Sequence, residues 1–163
     1  MTELINRPEY LNQLIQNRDV NLIKIVTGIR RCGKSSLLDL FHQYLSEQGV
    51  ANSHIIHMNL ESLRYRDLTD YLAFYDYVSE RILKEGRTYL IFDELQAVEH
   101  WEKAVESFRL DFDVDIYITG SNACLLSCFW NWCAAITVSI LERSGKRRST
   151  LWQKSRMTSC IFR

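Results

Sequence analysis

The sequence has no net charge and no long apolar run, and its first residues do not show the pattern of a signal peptide; each of these absences narrows the class of protein that we expect. Its 20 Lys and Arg residues equal its 20 Asp and Glu residues, so its overall charge favours neither nucleic acid nor a membrane surface as a partner. No apolar stretch approaches the roughly 18 residues that a membrane-spanning helix requires. The N-terminal residues MTELINRPEY lack the basic and then apolar segments of a signal peptide.

The cysteines also lack a pattern. The chain has an odd number, five, at irregular spacing: Cys32, Cys124, Cys128, Cys133 and Cys160. No paired C-x-x-C and no nearby histidine accompanies them, so their spacing does not indicate a zinc site. Internal repeats and low-complexity stretches are absent as well. We therefore expect a chain kept in a reducing, cytoplasmic environment.

Charge is distributed unevenly along the chain. Residues 1–126 contain 13 Lys and Arg against 19 Asp and Glu, whereas residues 127–163 contain seven against one. This break predicts a core over residues 1–127 and an atypical basic tail over residues 128–163. Within the tail, AAITVSIL at residues 134–141 is a candidate fifth strand, and we expect the remainder to be disordered or loosely helical. Seven charges without a scaffold give little specificity for nucleic acid.

Strand patterns alternate with helix patterns along the first 126 residues. Short apolar strands are predicted at residues 21–28, 53–61, 87–95 and 114–122. Amphipathic helices are predicted from Pro8 onward, with Asn6 as cap, and at residues 35–49, 67–86 and 99–111. Strands that are apolar throughout are typical of a parallel sheet covered on both faces. The sequence therefore predicts an α/β fold in three layers, with a mostly parallel sheet between helices.

The segment VTGIRRCGKSS contains G-x-x-x-x-G-K-S between the first strand and the next helix. Glycines let such a loop curl so that its N–H groups point inward, and the helix adds its N-terminal dipole. Lys34 supplies a cation for the β- and γ-phosphates, and the Ser35 hydroxyl is a ligand for Mg²⁺. The sequence predicts that nucleotide phosphates contact Gly28, Ile29, Arg30, Arg31, Cys32, Gly33, Lys34, Ser35 and Ser36.

Two interpretations remain open for Arg30 and Arg31, which lie inside this loop. Either they add positive charge beside the phosphates, or they are simply solvated. We interpret Cys32 as a small loop residue and not as a nucleophile.

Two carboxylates, Asp93 and Glu94, follow the apolar residues YLIF at the end of the third predicted strand. Asp93 would hold Mg²⁺, largely through its waters, because this ion keeps several of them. Glu94 could polarise a water in line with the γ-phosphate, and a base in that position contributes about 10²–10⁴ in rate. The alternative is a strand that ends in two solvated acids, and the phosphate loop upstream favours the functional interpretation.

Polar residues also end the second and fourth predicted strands. In YITGSN, Ser121 or Asn122 could orient the water or sense the γ-phosphate, which we favour over a plain turn. In HMNLES, Asn59 could hydrogen-bond Glu94 and modulate it.

Three segments together resemble a family of prokaryotic AAA-type ATPases: LIKIVTGIRRCGKSSLL, YLIFDELQAVEHWEKAVESF and DVDIYITGSNACLLS. The resemblance covers about residues 5–127. It implies the additional-strand, catalytic-glutamate branch of P-loop NTPases, in which the fourth strand lies between the first and third. It further implies a Walker A role for residues 28–35, Walker B for Asp93, the catalytic base at Glu94 and a sensor at Ser121 or Asn122.

The resemblance also implies ATP and Mg²⁺ as cofactors, consistent with the lack of a guanine-reading N-K-x-D motif. Members of this family normally take an arginine for the transition state from a neighbouring subunit, so we expect a homo-oligomer or another partner. After Ser127 the chain departs from the family pattern of a helix, a fifth strand, a lid and a second domain. A truncated or frameshifted gene is one explanation of that departure.

The sequence and the resemblance together predict Mg-dependent ATP hydrolysis, weak in this chain. A nucleotide-binding but catalytically inert fragment is the first alternative. A small-molecule kinase is the second, and it is less favoured because the sequence shows neither lid arginines nor an acceptor pocket.

Overall fold

The computed structural model describes residues 8–29, 31–120 and 135–140, and these build a five-stranded sheet covered by helices. The helices are α1 (Pro8–Gln16), α2 (Lys34–Glu47), α3 (Tyr71–Ser79) and α4 (Trp101–Asp111). The strands are β1 (Ile23–Gly28), β2 (Ile55–Asn59), β3 (Thr88–Asp93), β4 (Val114–Thr119) and β5 (Ala135–Ile140). Short 3₁₀ turns lie at Asn52–His54, Leu63–Tyr65 and Leu95–Ala97. None of the helices in these described ranges is long and apolar enough to cross a membrane.

The strands follow the order β2-β3-β4-β1-β5, and every neighbouring pair is parallel. The register places Asn59 opposite Asp93, and Val26 opposite Thr119. The predicted position of β4 between β1 and β3 is confirmed. Because the strands are parallel, their carboxyl ends meet at one edge of the sheet, where ligands of open α/β sheets bind.

Two hydrophobic clusters, one on each face of the sheet, form the core. In β3, Leu90 and Phe92 pack into the cluster that includes α3 and α4, whereas Tyr89 and Ile91 pack into the cluster that includes α1 and α2. This alternation is the two-residue period of a strand. The apolar stripe of α2 is buried as its spacing predicts, through Leu37, Leu38, Phe41 and Leu45. The predicted three layers are confirmed.

The predicted helix over residues 67–86 is wrong at both ends. The observed α3 begins after Asp70, whose carboxylate accepts the N–H of Leu72 at 2.9 Å; this cap prevails over the one that Asp67 could provide. At the other end the turn tightens, since the N–H of Arg81 bonds the carbonyl of Val78, three residues back. The predicted strands and the other helices are present and begin or end within a few residues of the expected positions.

The fifth strand, predicted at residues 134–141, is confirmed as β5. It pairs in parallel with β1 along its whole length, from Ile23 opposite Ala135 to Gly28 opposite Ile140. The rest of the tail, which we expect to be disordered or loosely helical, lies outside the described residues, as does Asn6, the expected cap of α1.

A buried ion pair lies at the amino end of the sheet, opposite the phosphate loop. Lys24 in β1, fully buried, donates to the carboxylate of Asp115 in β4 and to the carbonyl of Val20, the latter at 2.6 Å. Asp115 also accepts the Tyr117 hydroxyl at 2.8 Å and the Asp19 N–H at 2.9 Å. Burial lowers the pKa of Lys24, and Asp115 opposes that shift.

Candidate functional site

The predicted phosphate loop connects β1, which ends at Gly28, with α2, which begins at Lys34. Gly33 caps the helix with φ at 92°, in the left-handed region where a side chain is strained. A glycine has no side chain to satisfy the first N–H groups of the helix, and no side-chain cap is present. Ser35 and Ser36 follow in the first turn. This end of α2 therefore suits an anion.

Inside the loop, the side chains point in different directions. Cys32 is buried and its N–H donates to the carbonyl of Ile29 at 3.2 Å, as a small structural loop residue would. Arg31 is exposed and has φ at 63°. Its exposure is compatible with either interpretation of the loop arginines, and Arg30 lies outside the described residues.

Lys34 lies between its own loop and the tip of β3. Its side chain is 5% exposed, and Nζ donates to the carbonyls of Gly28 and Ile29 at 3.3 and 3.4 Å. Nζ is also 3.8 Å from Oε1 of Glu94. The loop lysine and the second carboxylate of the acidic pair, far apart in sequence, thus meet at the carboxyl edge of the sheet.

Asp93 is a buried carboxylate with a partner on each oxygen. The Thr119 hydroxyl donates to Oδ1, and Nδ2 of Asn59 donates to Oδ2 at 3.2 Å. The hydrogen bond from Asn59 to Glu94 that the sequence allows is not the one formed, since Asn59 donates to Asp93 instead. The parallel register sets Asn59 opposite Asp93, and its amide oxygen accepts the N–H of Glu61 at 3.0 Å, which turns the amide nitrogen toward Asp93.

Glu94 follows with a left-handed backbone, at φ 54°, a conformation that is uncommon outside glycine. Its N–H donates to the Thr119 hydroxyl at 2.9 Å, and its Oε2 accepts Nε2 of Gln96 at 2.5 Å. The turn at residues 95–97 follows immediately. These contacts hold an 18% exposed carboxylate facing Lys34.

Sequence reasoning missed Thr119 and Gln96. Thr119 lies in the same segment, YITGSN, in which the sequence points to Ser121 and Asn122, and both of those lie outside the described residues. The feature that could have identified Thr119 is its position as the last residue of β4, the strand next to β3, which ends in the acidic pair. Nothing in the sequence singled out Gln96.

The oxygen ligands at this edge fit Mg²⁺ as part of a nucleotide complex. Within residues 8–29, 31–120 and 135–140, no group of three His, Cys, Asp or Glu side chains could hold a metal by itself. Mg²⁺ beside a nucleotide does not need such a group, because it binds one or two carboxylates, phosphates and waters. Asp93 and Ser35 supply a carboxylate and a hydroxyl.

This parallel sheet, with a phosphate loop after β1 and an acidic pair after β3, defines a nucleotide-binding ATPase module of the P-loop type. The model of the AAA domain family matches residues 20–128. The chain belongs to that family.

Relatives in curated collections of sequences are longer proteins. An uncharacterized protein of Haemophilus influenzae is 43% identical over 125 residues, which are 76% of this chain and 31% of that protein. One uncharacterized protein of Methanocaldococcus jannaschii is 27% identical over 117 residues, which are 71% of this chain and 24% of that protein. A second one from the same organism is 29% identical over 132 residues, which are 77% of this chain and 27% of that protein. The chain therefore spans about a quarter to a third of the length of these relatives.

Two solved structures are similar in fold. AMPPCP-bound DnaA from Aquifex aeolicus has a TM-score of 0.48 and 15% identity, over 82% of this chain and 44% of that chain. PCH-2 of C. elegans has a TM-score of 0.49 and 15% identity, over 81% of this chain and 39% of that chain.

Proposed function

We propose that this module binds ATP with Mg²⁺ at the carboxyl edge of the sheet and hydrolyses it. The observation that supports this most directly is the position of Lys34 between the loop carbonyls and Glu94, beside the uncapped start of α2. A cation, helix N–H groups and two carboxylates surround one small region. That combination suits a phosphate chain with its metal ion, because Lys34 and the helix N–H groups attract phosphate oxygens and a carboxylate attracts Mg²⁺.

Each residue has a distinct role in the proposed reaction. The loop N–H groups and Lys34 bind the phosphates, and Asp93 and Ser35 hold Mg²⁺, which supplies charge neutralisation when bound. Water attacks the γ-phosphorus, the bond to the bridging oxygen breaks, and ADP and phosphate leave. Glu94 accepts the proton of the attacking water. The expected sensor role of Ser121 or Asn122 remains part of the proposal.

Hydrolysis by the chain alone should be slow. No arginine of the described ranges hydrogen-bonds or forms an ion pair with Lys34, Asp93 or Glu94. An arginine that stabilises the transition state contributes about 10³–10⁵ in rate. We propose that a second copy or another partner supplies it.

Thermal unfolding tests the binding step. Mg-ATP at 100 times its dissociation constant adds about 2.7 kcal/mol to the stability of the folded state, so the melting temperature should rise. Lys34→Ala should remove most of that rise. Lys84→Ala, at an exposed lysine, is the matched control and should keep it. An equal rise in all three proteins would contradict the phosphate-loop assignment.

Phosphate release tests the hydrolytic step and separates the proposal from an inert nucleotide-binding fragment. Glu94→Gln keeps the shape of the side chain and removes the base, so ATP binding should persist. Turnover, measured at protein concentrations that favour self-association, should fall at least tenfold. The same rate with and without the substitution would place the base elsewhere, and no turnover by the unsubstituted chain at any concentration would support the inert alternative.

A further inference from the structure

A histidine pair joins α2 to the edge strand β2. Nδ1 of His42, in α2, lies 3.1 Å from Nδ1 of His57, in β2, and the two rings have centroids 5.3 Å apart at 65°. Both side chains are half-buried. The proposed ATPase chemistry uses neither histidine. The short distance between two imidazole nitrogens from separate elements therefore needs another explanation.

The carboxylate of Asp39 lies near the other nitrogen of the His57 ring. Asp39 lies one helical turn before His42, and its Oδ1 is 4.0 Å from Nε2 of His57. Asp39 is 60% exposed, so its side chain can adjust. A histidine that binds a metal commonly gives its other ring N–H to a carboxylate, which fixes the tautomer and raises the basicity of the ligand. Nδ1 of His57 would be the ligand, and Nε2 would face the carboxylate.

The protonation state of His57 agrees with such a role. Burial lowers the pKa of His57, and the nearby Asp39 carboxylate only partly opposes that shift. The neutral imidazole is therefore favoured at pH 7, and it is the form that binds metals.

The two nitrogens are close to the spacing that a shared metal ion imposes, but both rings must turn to bind one, because centroids 5.3 Å apart leave the two Nδ1 atoms pointing nearly at each other. With metal–nitrogen bonds of about 2.0–2.1 Å, an N···N separation of 3.1 Å corresponds to an angle at the metal of about 98°. A tetrahedral ion would require an N···N separation about 0.2 Å longer than this, and a square-planar or octahedral ion would require a slightly shorter one. A single hydrogen bond between the rings also accounts for the distance, so an experiment must distinguish the two.

We propose that His42 and His57 form a binding site for a divalent transition metal, with Asp39 as the outer carboxylate. The described part of the chain contains no cluster of three candidate ligand side chains, so water would complete the coordination around the two imidazoles. Imidazole ligands suit Zn²⁺, Cu²⁺ and Ni²⁺, not Mg²⁺. The site is thus chemically distinct from the one at Asp93.

Ni²⁺ is the most suitable probe, because the cysteine thiolates of the chain would compete with the two imidazoles more strongly for Zn²⁺ than for Ni²⁺. The full chain without a histidine tag is titrated with NiCl₂ by calorimetry, with millimolar Mg²⁺ present to compete for carboxylate oxygens, including those of Asp93 and Glu94. We expect binding near one ion per chain and a rise in melting temperature with Ni²⁺. His42→Ala should abolish both. Asp39→Asn should weaken binding about 10- to 100-fold, as loss of an outer-shell partner does.

The control is His100→Ala, at a histidine that is 64% exposed and 3.7 Å from Glu102; it should bind Ni²⁺ as the unsubstituted chain does. Since Asp39 lies on the surface, its variant tests the proposal even if changes at the histidines impair folding. Absence of Ni²⁺ binding by the unsubstituted chain, or equal affinity in the Asp39 and His100 variants, would overturn the proposal and leave the pair as a hydrogen bond.

Discussion

Thr119→Val should be far more harmful than the same substitution at Thr88, although both side chains are fully buried. The Thr119 hydroxyl bridges β4 to the tip of β3, because it donates to the Asp93 carboxylate and accepts the N–H of Glu94. The Thr88 hydroxyl, at the start of β3, has no hydrogen-bond partner among the residues that the structure describes. Threonine and valine have nearly the same shape, so the comparison isolates the hydroxyl.

The expected magnitudes follow from these contacts. A hydrogen bond to a charged group contributes about 1.5–3 kcal/mol, and a buried N–H left without a partner costs about 1–3 kcal/mol. Allowing for partial relaxation, Thr119→Val should lower the free energy of unfolding by about 3 kcal/mol. For a chain of this size that corresponds to a fall of roughly 6–12 °C in melting temperature. Thr88→Val removes an unsatisfied polar atom, so stability should stay unchanged or rise by about 1 kcal/mol.

Thermal and denaturant unfolding followed by circular dichroism measure both variants. Phosphate release adds a functional readout, because Thr119→Val also releases the backbone of Glu94 and should reduce turnover more than it reduces ATP binding. Equal changes in stability for the two threonines would refute the assigned hydrogen bonds. A Thr119 variant with unchanged stability and unchanged turnover would show that Asp93 and Glu94 are positioned by other groups.

Two further predictions concern the amino end of the sheet. Lys24→Met should lower the free energy of unfolding, measured with denaturant, by about 3–5 kcal/mol, because it leaves the buried Asp115 carboxylate without its cation. In the double variant with Asp115→Leu, the loss should be about 1–3 kcal/mol smaller than the sum of the two single losses. Strict additivity of the two losses would argue against a direct ion pair. Burial and the hydrogen bond to Asp19 raise the pKa of Tyr89 to about 12, so its contribution to stability is complete below about pH 10 and is lost as the pH rises toward 12. Melting temperatures measured across that range should fall less steeply in Tyr89→Phe, and an unchanged slope would contradict the shift.

The sequence predicted the succession of strands and helices because that information is local, whereas the order of the strands in the sheet followed from the family resemblance. Apolar strands, glycines and helical stripes each reflect neighbouring residues, and the loop motif fixes its own place between β1 and α2. The start of α3 was mispredicted because Asp67 and Asp70 are equally good caps in isolation, whereas in the fold the backbone at Thr69 and Asp70 pairs with Glu99. Local pattern alone cannot settle such a choice.

Contacts across strands were harder to predict than the strands themselves. Asn59 reaches Asp93 because the parallel register sets them opposite each other, and no sequence pattern fixes a register to one residue. Thr119 acts on the same carboxylate from the other side, through the neighbouring strand. Motif spacing therefore identified the two acidic residues, whereas the groups that orient them emerged only from the assembled sheet.

Two buried lysines explain why ligand chemistry belongs at one edge of this sheet and not at the other. Lys24 is fixed by a carboxylate and by a carbonyl at 2.6 Å, and Asp115 is satisfied by further donors, so no ligand could improve these contacts. Lys34 instead has two carbonyls at 3.3 and 3.4 Å and a carboxylate at 3.8 Å. Hydrogen bonds of that length are weak, so Lys34 gives up little when it exchanges them for phosphate oxygens. A charged group that is buried but loosely held is poised to bind an anion, whereas one that is buried and tightly held stabilises the fold.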